Sequence, residues 1–137
     1  MDVSALKTGI YSEYAANSTL VSALTGGLHW RRAPQDPTYP YAVYFIVANH
    51  PEYTFTEVSE NPLIQFSIFD YDEDQPDNDT TINDCAKKLM VCFDLCALTV
   101  SGYTHVVMMR EMDREVPEPD GVLHYSADYR VRVQKSR

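Results

Sequence analysis

Hydrophobic and polar positions alternate most regularly near the end of the chain. Leu123, Tyr125, Ala127, Tyr129, Val131 and Val133 are interleaved with His124, Ser126, Asp128, Arg130, Arg132 and Gln134. That period of two predicts a strand with one face on the core and the other wet or turned toward a second subunit. Leu63 to Phe69 alternates in the same way and reads as a strand inside the sheet. Tyr41 to Ala48 is apolar on both faces, with Tyr44-Phe45-Ile46-Val47 at its centre, which places it in mid-sheet or beneath a partner. Tyr103 to Asp113 alternates again, with Thr104, Val106, Met108, Arg110 and Met112 on one face, and Met108, Met109 and Met112 are read as fillers of core gaps. Leu28 to Arg32 is a short strand candidate.

Elsewhere the spacing is three and four. Val3, Leu6, Ile10 and Tyr14 predict a helix over 3–16 in spite of Gly9. Asn17 or Ser18 caps a second short helical turn carrying Leu20, Val21 and Leu24, and Gly26-Gly27 ends it. Ile82, Cys85, Leu89, Cys92 and Cys96 fall on one face of a third helix, capped by Asp79 or Thr80. From Leu89 to Val100 that segment is apolar nearly all round, so a helix there needs cover on more than one side. Gly102 breaks the pattern.

The connections carry their own signals. Ala33 to Pro40 holds three prolines and is a rigid connector rather than a helix or a paired strand. Residues 49–61 turn polar yet keep Tyr53, Phe55 and Val58, which predicts an extended β-arm in preference to a floppy loop, because exposed aromatics call for a partner. Asp70 to Asp79 has no apolar period and contains Pro76, so it is a solvated crossing, and Glu115 to Gly121 is turn chemistry. Helices, strands, helix, strands in this order predict one α+β domain over residues 1–137, a largely antiparallel sheet with helices packed on one face.

Charge then narrows the function. The net charge is −9, from 20 acidic against 11 basic residues, a balance that repels nucleic acid because phosphate affinity comes from Lys and Arg. Cys85, Cys92 and Cys96 lie on one expected helix and in odd number, so they read as reduced core thiols in a reducing cytosol. The first residues lack the basic and apolar regions of a signal peptide, and no apolar run approaches the ~18 residues of a membrane span. Asp70, Asp72 and Asp74 have the spacing that opens a calcium loop, but Gln75 and Thr81 stand where glycine and a bidentate glutamate are needed. His29, His50, His105 and His124 form no metal or hydrolase motif, and no catalytic residue, metal site or cofactor is expected. Arg31, Arg32, Arg110, Arg114, Arg130 and Arg132 are read as carboxylate partners, some of them across a subunit interface.

Several short strings in this order resemble the tail terminator, or tail completion, family of long-tailed bacteriophages and gene transfer particles. They are Leu24-Thr25-Gly26-Gly27, Ala33-Pro34-Gln35, Tyr39-Pro40-Tyr41-Ala42-Val43-Tyr44, Ile64-Gln65-Phe66-Ser67-Ile68, Asp120-Gly121 and Asp128-Tyr129-Arg130-Val131, and together they run through most of the chain. The resemblance implies a non-enzymatic virion structural protein, made in the host cytoplasm and resident in the tail or neck. It implies a ring of copies, typically a homohexamer, seated on the last tail-tube ring. Its partners would be the tail tube protein and the head-tail connector or stopper protein, with DNA passing through the lumen unbound and no membrane involved. On this reading Tyr53, Phe55, Val58, Trp30, Arg31, Arg110, Arg114, Arg130 and Arg132 are candidates for the oligomer or tube interface. Asp70, Asp72, Glu73, Asp74, Asp77 and Asp79 are candidates for an acidic lumen surface. The alternatives are a neighbouring neck protein, such as a stopper or tail adaptor, and a monomeric module that binds a protein or a metal through the acidic loop.

Overall fold

The computed structural model describes residues 1–137 apart from the side chains of residues 105 and 106, so the face expected for Val106 and the reading of His105 lie outside the described residues. Three helices and seven strands follow one another as α1 (Val3–Ala16), α2 (Ser18–Ala23), β1 (Leu28–Trp30), β2 (Tyr41–Asn49), β3 (Glu52–Tyr53), β4 (Glu57–Glu60), β5 (Pro62–Asp70), α3 (Thr80–Phe93), β6 (Thr104–Val116) and β7 (Leu123–Ser136). The fold is α+β, as the alternation of periods predicts, and β1 against β2 is the parallel pair in an otherwise antiparallel sheet.

β7 is the spine of the sheet. Along one edge it pairs with β4, from Glu57 opposite Ser136 to Glu60 opposite Val133, and then with β5, from Leu63 opposite Arg130 to Asp70 opposite Leu123. The register passes from β4 to β5 without a slip. Along its other edge β7 pairs with β6, and beyond β5 lie β2 and then β1. β1 covers β2 only from Ala42 to Tyr44, so the outer edge of β2 beyond Tyr44 has no strand beside it. The two-sided apolar strand is thus central at its start and an open edge at its end, where Val47 is exposed.

Alternation decides which face is core. Ala42 and Tyr44 of β2, Ile64, Phe66 and Ile68 of β5, Met108 of β6, and Ala127, Tyr129, Val131 and Val133 of β7 are buried against Leu6, Ile10, Leu20, Leu24, Ile82, Cys85, Leu89 and Phe93 of the helical layer. Phe66 sits at the centre, 4.7 Å from the Phe93 ring and edge-on to Tyr129 at 5.6 Å, an arrangement that suits the aromatic quadrupoles. Gly9 is tolerated in α1 because a Cβ there would lie 2.5 Å from the carbonyl oxygen of Thr99. The expected cap at Asn17 forms, its Oδ1 accepting from the Leu20 amide at 3.0 Å.

Several sequence expectations are corrected. α3 ends at Phe93, not near Val100, and Asp79 occupies the N-cap position without a side-chain cap bond. What stops the helix is tertiary. Asp94 accepts from the Tyr129 hydroxyl at 2.6 Å and pairs with Arg110 at 3.2 Å, while Leu95 takes φ 56° and gives its amide to Met108 O at 2.8 Å. Cys96 therefore lies beyond the helix that carries Cys85 and Cys92. In β6, irregularities between Thr104 and Val107 and between Arg110 and Met112 break the single alternating face. Only Met108 of the three β6 methionines fills the core, and Met109 and Met112 are exposed. Val3 and Val21 are exposed as well, whereas Ser126, expected on the wet face, is fully buried.

Candidate functional site

Opposite the helices, the sheet bears no helix among the described residues. Its surface is built in rows that cross the strands. Tyr41 stacks on Phe69 at 5.3 Å, and Phe69 on His124 at 4.3 Å. Beside them Val43, Ser67 and Ser126 are buried beneath longer neighbours, Ser126 accepting from Gln65 at 2.5 Å. The candidate arginines of β6 and β7 are occupied at home, whereas Arg31 forms no ion pair among the described residues. Arg114 pairs with Asp128 at 3.4 Å, Arg130 with Glu111 at 2.9 Å, Arg110 with Asp94 and Asp113 at 3.2 and 2.8 Å, and Arg132 approaches Glu52 at 3.9 Å. Each of these pairs lies within one chain, so Arg110, Arg114, Arg130 and Arg132 have carboxylate partners here, and Arg31 and Arg32 have none among the described residues.

Residues 52–60 form a hairpin of β3 and β4, with Glu52 opposite Ser59 and Tyr53 opposite Val58. Its turn is closed by the Thr54 amide on Glu57 O at 2.9 Å and by the Glu57 amide on Thr54 Oγ1 at 3.0 Å. Arg137 fastens the tip, its amide donating to Thr56 O at 2.8 Å and its guanidinium to Thr54 O at 2.9 Å. The base is held by Glu60, which is buried, accepts from Asn49 Nδ2 at 2.5 Å and meets the Met1 ammonium at 3.2 Å. The Asn61 amide donates to Asn49 Oδ1 at 3.0 Å, and Arg130 donates to Asn61 O at 2.9 Å. On this fastened scaffold the Phe55 side chain is 100% exposed and Tyr53 70%, with Val58 half-buried. A fixed backbone that holds an aromatic ring wholly in water is the outstanding unsatisfied surface of the molecule.

Trp30 and Arg31 lie elsewhere, at the end of β1. Trp30 is half-buried and meets Tyr44 edge-on at 5.1 Å, with Lys7 and Arg31 over its ring at 5.8 and 5.5 Å. Val3, Trp30, Arg31, Phe45 and Ile46 line a cleft of about 470 Å³ at the open edge of β2.

The acidic crossing leaves the opposite end of β5. Asp72, Glu73, Asp74, Asp77 and Asp79 are all exposed, and local turns hold the segment, with Asp72 Oδ1 accepting from the amides of Asp74 and Gln75 at 3.0 and 3.3 Å. Asp70 is set apart from this group. It is the last residue of β5 and is buried, and burial pushes its carboxyl pKa up. It does not belong to an exposed acidic surface. Asp77 and Asp79 instead share a cleft of about 380 Å³ with Glu115 and Glu118, two acids that the sequence reading placed only in turn chemistry. No group of three or more metal-ligating side chains occurs among the described residues. Burial pushes the thiols up, to about 11 for Cys85 and Cys92 and about 12 for Cys96, far from the range of a reactive cysteine. No helix of the described residues is long and apolar enough to cross a membrane.

The whole architecture recurs in a known particle. A chain in the solved virion of a native gene transfer agent (GTA) particle superposes with a TM-score of 0.80, over 94% of this chain and 94% of that one. Sequence identity is 13%, so the likeness is one of fold. No protein-family model and no curated protein matches the sequence.

Proposed function

We propose that this chain is a structural protein of a phage or gene-transfer particle, and that it acts as a tail terminator. In this role copies of the chain form a ring, typically of six, on the last ring of the tail tube. The ring stops tube growth and offers its other side to the head connector, and DNA passes through the lumen without being bound. The observation that carries the virion reading is the superposition on a GTA virion chain along nearly the full length of both, and the terminator role within it is supported by the ordered strings from Leu24 to Val131 that resemble the tail terminator family. The surface supports it: the conspicuous exposed group is the Phe55 arm tip, and the net charge of −9 disfavours retention of DNA.

Light scattering and negative-stain imaging, with and without purified tail tubes, test this. A closed ring, or a cap on tube ends that stops elongation, is the expected result. A monomer that ignores tube ends overturns the terminator role. An open-ended polymer, or binding to the portal-side ring alone, transfers the chain to a stopper or adaptor place in the neck.

A further inference from the structure

We infer that the arm tip of one copy, with Phe55 at its apex, seats in the Trp30 cleft of a second copy, and that this contact links successive copies of the ring. The inference rests on the ring reading above. Three observations meet in it. Phe55 is fully exposed on a hairpin whose backbone is held by its own ladder and by Arg137, so the ring is presented rather than flailing. The cleft of Val3, Trp30, Phe45 and Ile46 is apolar, of ligand size, and open along the unpaired edge of β2. Phe55 of the same chain does not line it.

The charges are complementary. Lys7 and Arg31 lie over Trp30, Arg32 follows, and none of the three forms an ion pair among the described residues. On a chain of net charge −9 this is an unneutralised basic spot. On the arm Glu52 is paired with Arg132 at 3.9 Å and the Arg137 guanidinium is taken up by the carbonyls of Thr54 and Phe55, while Glu57 is without an ion pair among the described residues and is the acid left to meet this spot. An apolar knob beside the unpaired Glu57 therefore matches an apolar socket beside unpaired bases, and both belong to the same chain. Knob and socket are different patches, so the contact is heterologous: it propagates head to tail and ends only when a ring closes. Complementary charge of this kind fixes which patches meet and in which orientation.

Cross-linking decides the matter. Thr56→Cys, exposed beside Phe55 so that the ring is kept, and Val3→Cys are made singly and together and treated with a short bismaleimide under assembly conditions, with the parent chain as the control for its native cysteines. Neither single variant alone is expected to cross-link. An equimolar mixture of the two gives dimers only, and the double variant gives a ladder whose top rung is the ring. Charge reversal supplies the second arm of the test. Arg31→Glu with Arg32→Glu, or Glu57→Arg alone, weakens assembly by about tenfold or more, and combining them restores it. Rings that form without cross-links, together with reversals that leave assembly unchanged, overturn this contact and leave the terminator reading standing. Cross-linking of Thr56→Cys to the tube protein in place of a second copy also overturns it. A parent chain that never assembles, even on tube ends, overturns both.

Discussion

The arm at residues 50–60 and the acidic crossing at residues 71–79 leave opposite ends of β5, and they are built by opposite means. The arm is an extension of the sheet. Its ladder continues the register of β5 along β7, buried Glu60 and the Asn49–Asn61 pair clamp its base, and Arg137 clamps its tip. The crossing is held by local bonds from Asp72 and Asn78 to nearby amides, and its side chains are charged and solvated. Both were polar, proline-bearing stretches in the sequence. What separates them is where the ordering free energy goes. The arm spends tertiary bonds on holding an aromatic ring in water, which is the feature the proposed contact between copies rests on, whereas the crossing is held by local turns and covered in acid.

Replacing both Tyr53 and Phe55 with serine strikes the arm and has the largest expected effect. Assembly falls to the monomer by light scattering while the melting temperature stays within the range of a surface change of about 0.5 kcal/mol. Assembly of unchanged size removes the arm from the interface. Glu60→Ala attacks the same arm from its base and leaves the half-buried Asn49 amide without its acceptor, a loss of about 1 kcal/mol in chemical denaturation. No loss would mean that the base is not a clamp.

At the junction of β5 with the acidic crossing, Asp70 gives a smaller effect with a defined sign. Burial raises its folded pKa above the ordinary 3.8, so the folded state holds the proton more tightly than the unfolded chain does. The group therefore works against the fold as pH rises through the interval above the ordinary value. Asp70→Asn raises the melting temperature at pH 7 and gives no gain at pH 3. The reverse order would show that the carboxylate is stabilised in place. The smallest stability effect belongs to Asp72→Lys, Glu73→Lys and Asp74→Lys combined, which changes stability by less than about 0.5 kcal/mol. That triple variant sharpens the contrast through a different readout. If the crossing faces the lumen, it creates salt-sensitive retention of DNA, and an unchanged elution profile takes the loop out of the DNA path.

The arm was legible in the sequence for the reason it matters: Tyr53, Phe55 and Val58 are apolar where their neighbours are not. The strands of β5 and β7 and the helix α1 were equally legible, because one buried face imposes a strict period. The end of α3 was not, since Leu95 to Val100 is as apolar as a helix core. The helix stops because Asp94 is captured by Tyr129 and Arg110, residues 35 and 16 positions away, and no local pattern encodes that meeting. β6 failed in the same way, its irregularities being set by pairing with β7. The arginines showed their preference for carboxylates but not whose, and all four on β6 and β7 found theirs within the chain. The Trp30 cleft was invisible as a cleft, because Val3, Trp30 and Phe45 come from three separate segments.

The unbroken register of β4 and β5 along β7 makes the arm and the core a single cantilever. From Glu57 to Asp70 the two strands, stepping over Asn61 in one register, span about 45 Å at the rise per residue of an antiparallel ladder. The step between β4 and β5 at Asn61 is held by the Asn49 side chain and by Arg130, so a pull on Phe55 meets a braced joint. It is borne as shear across successive hydrogen bonds and delivered to Phe66 and Tyr129 at the centre of the fold, which is the mechanical behaviour of a fixed strut rather than a tether.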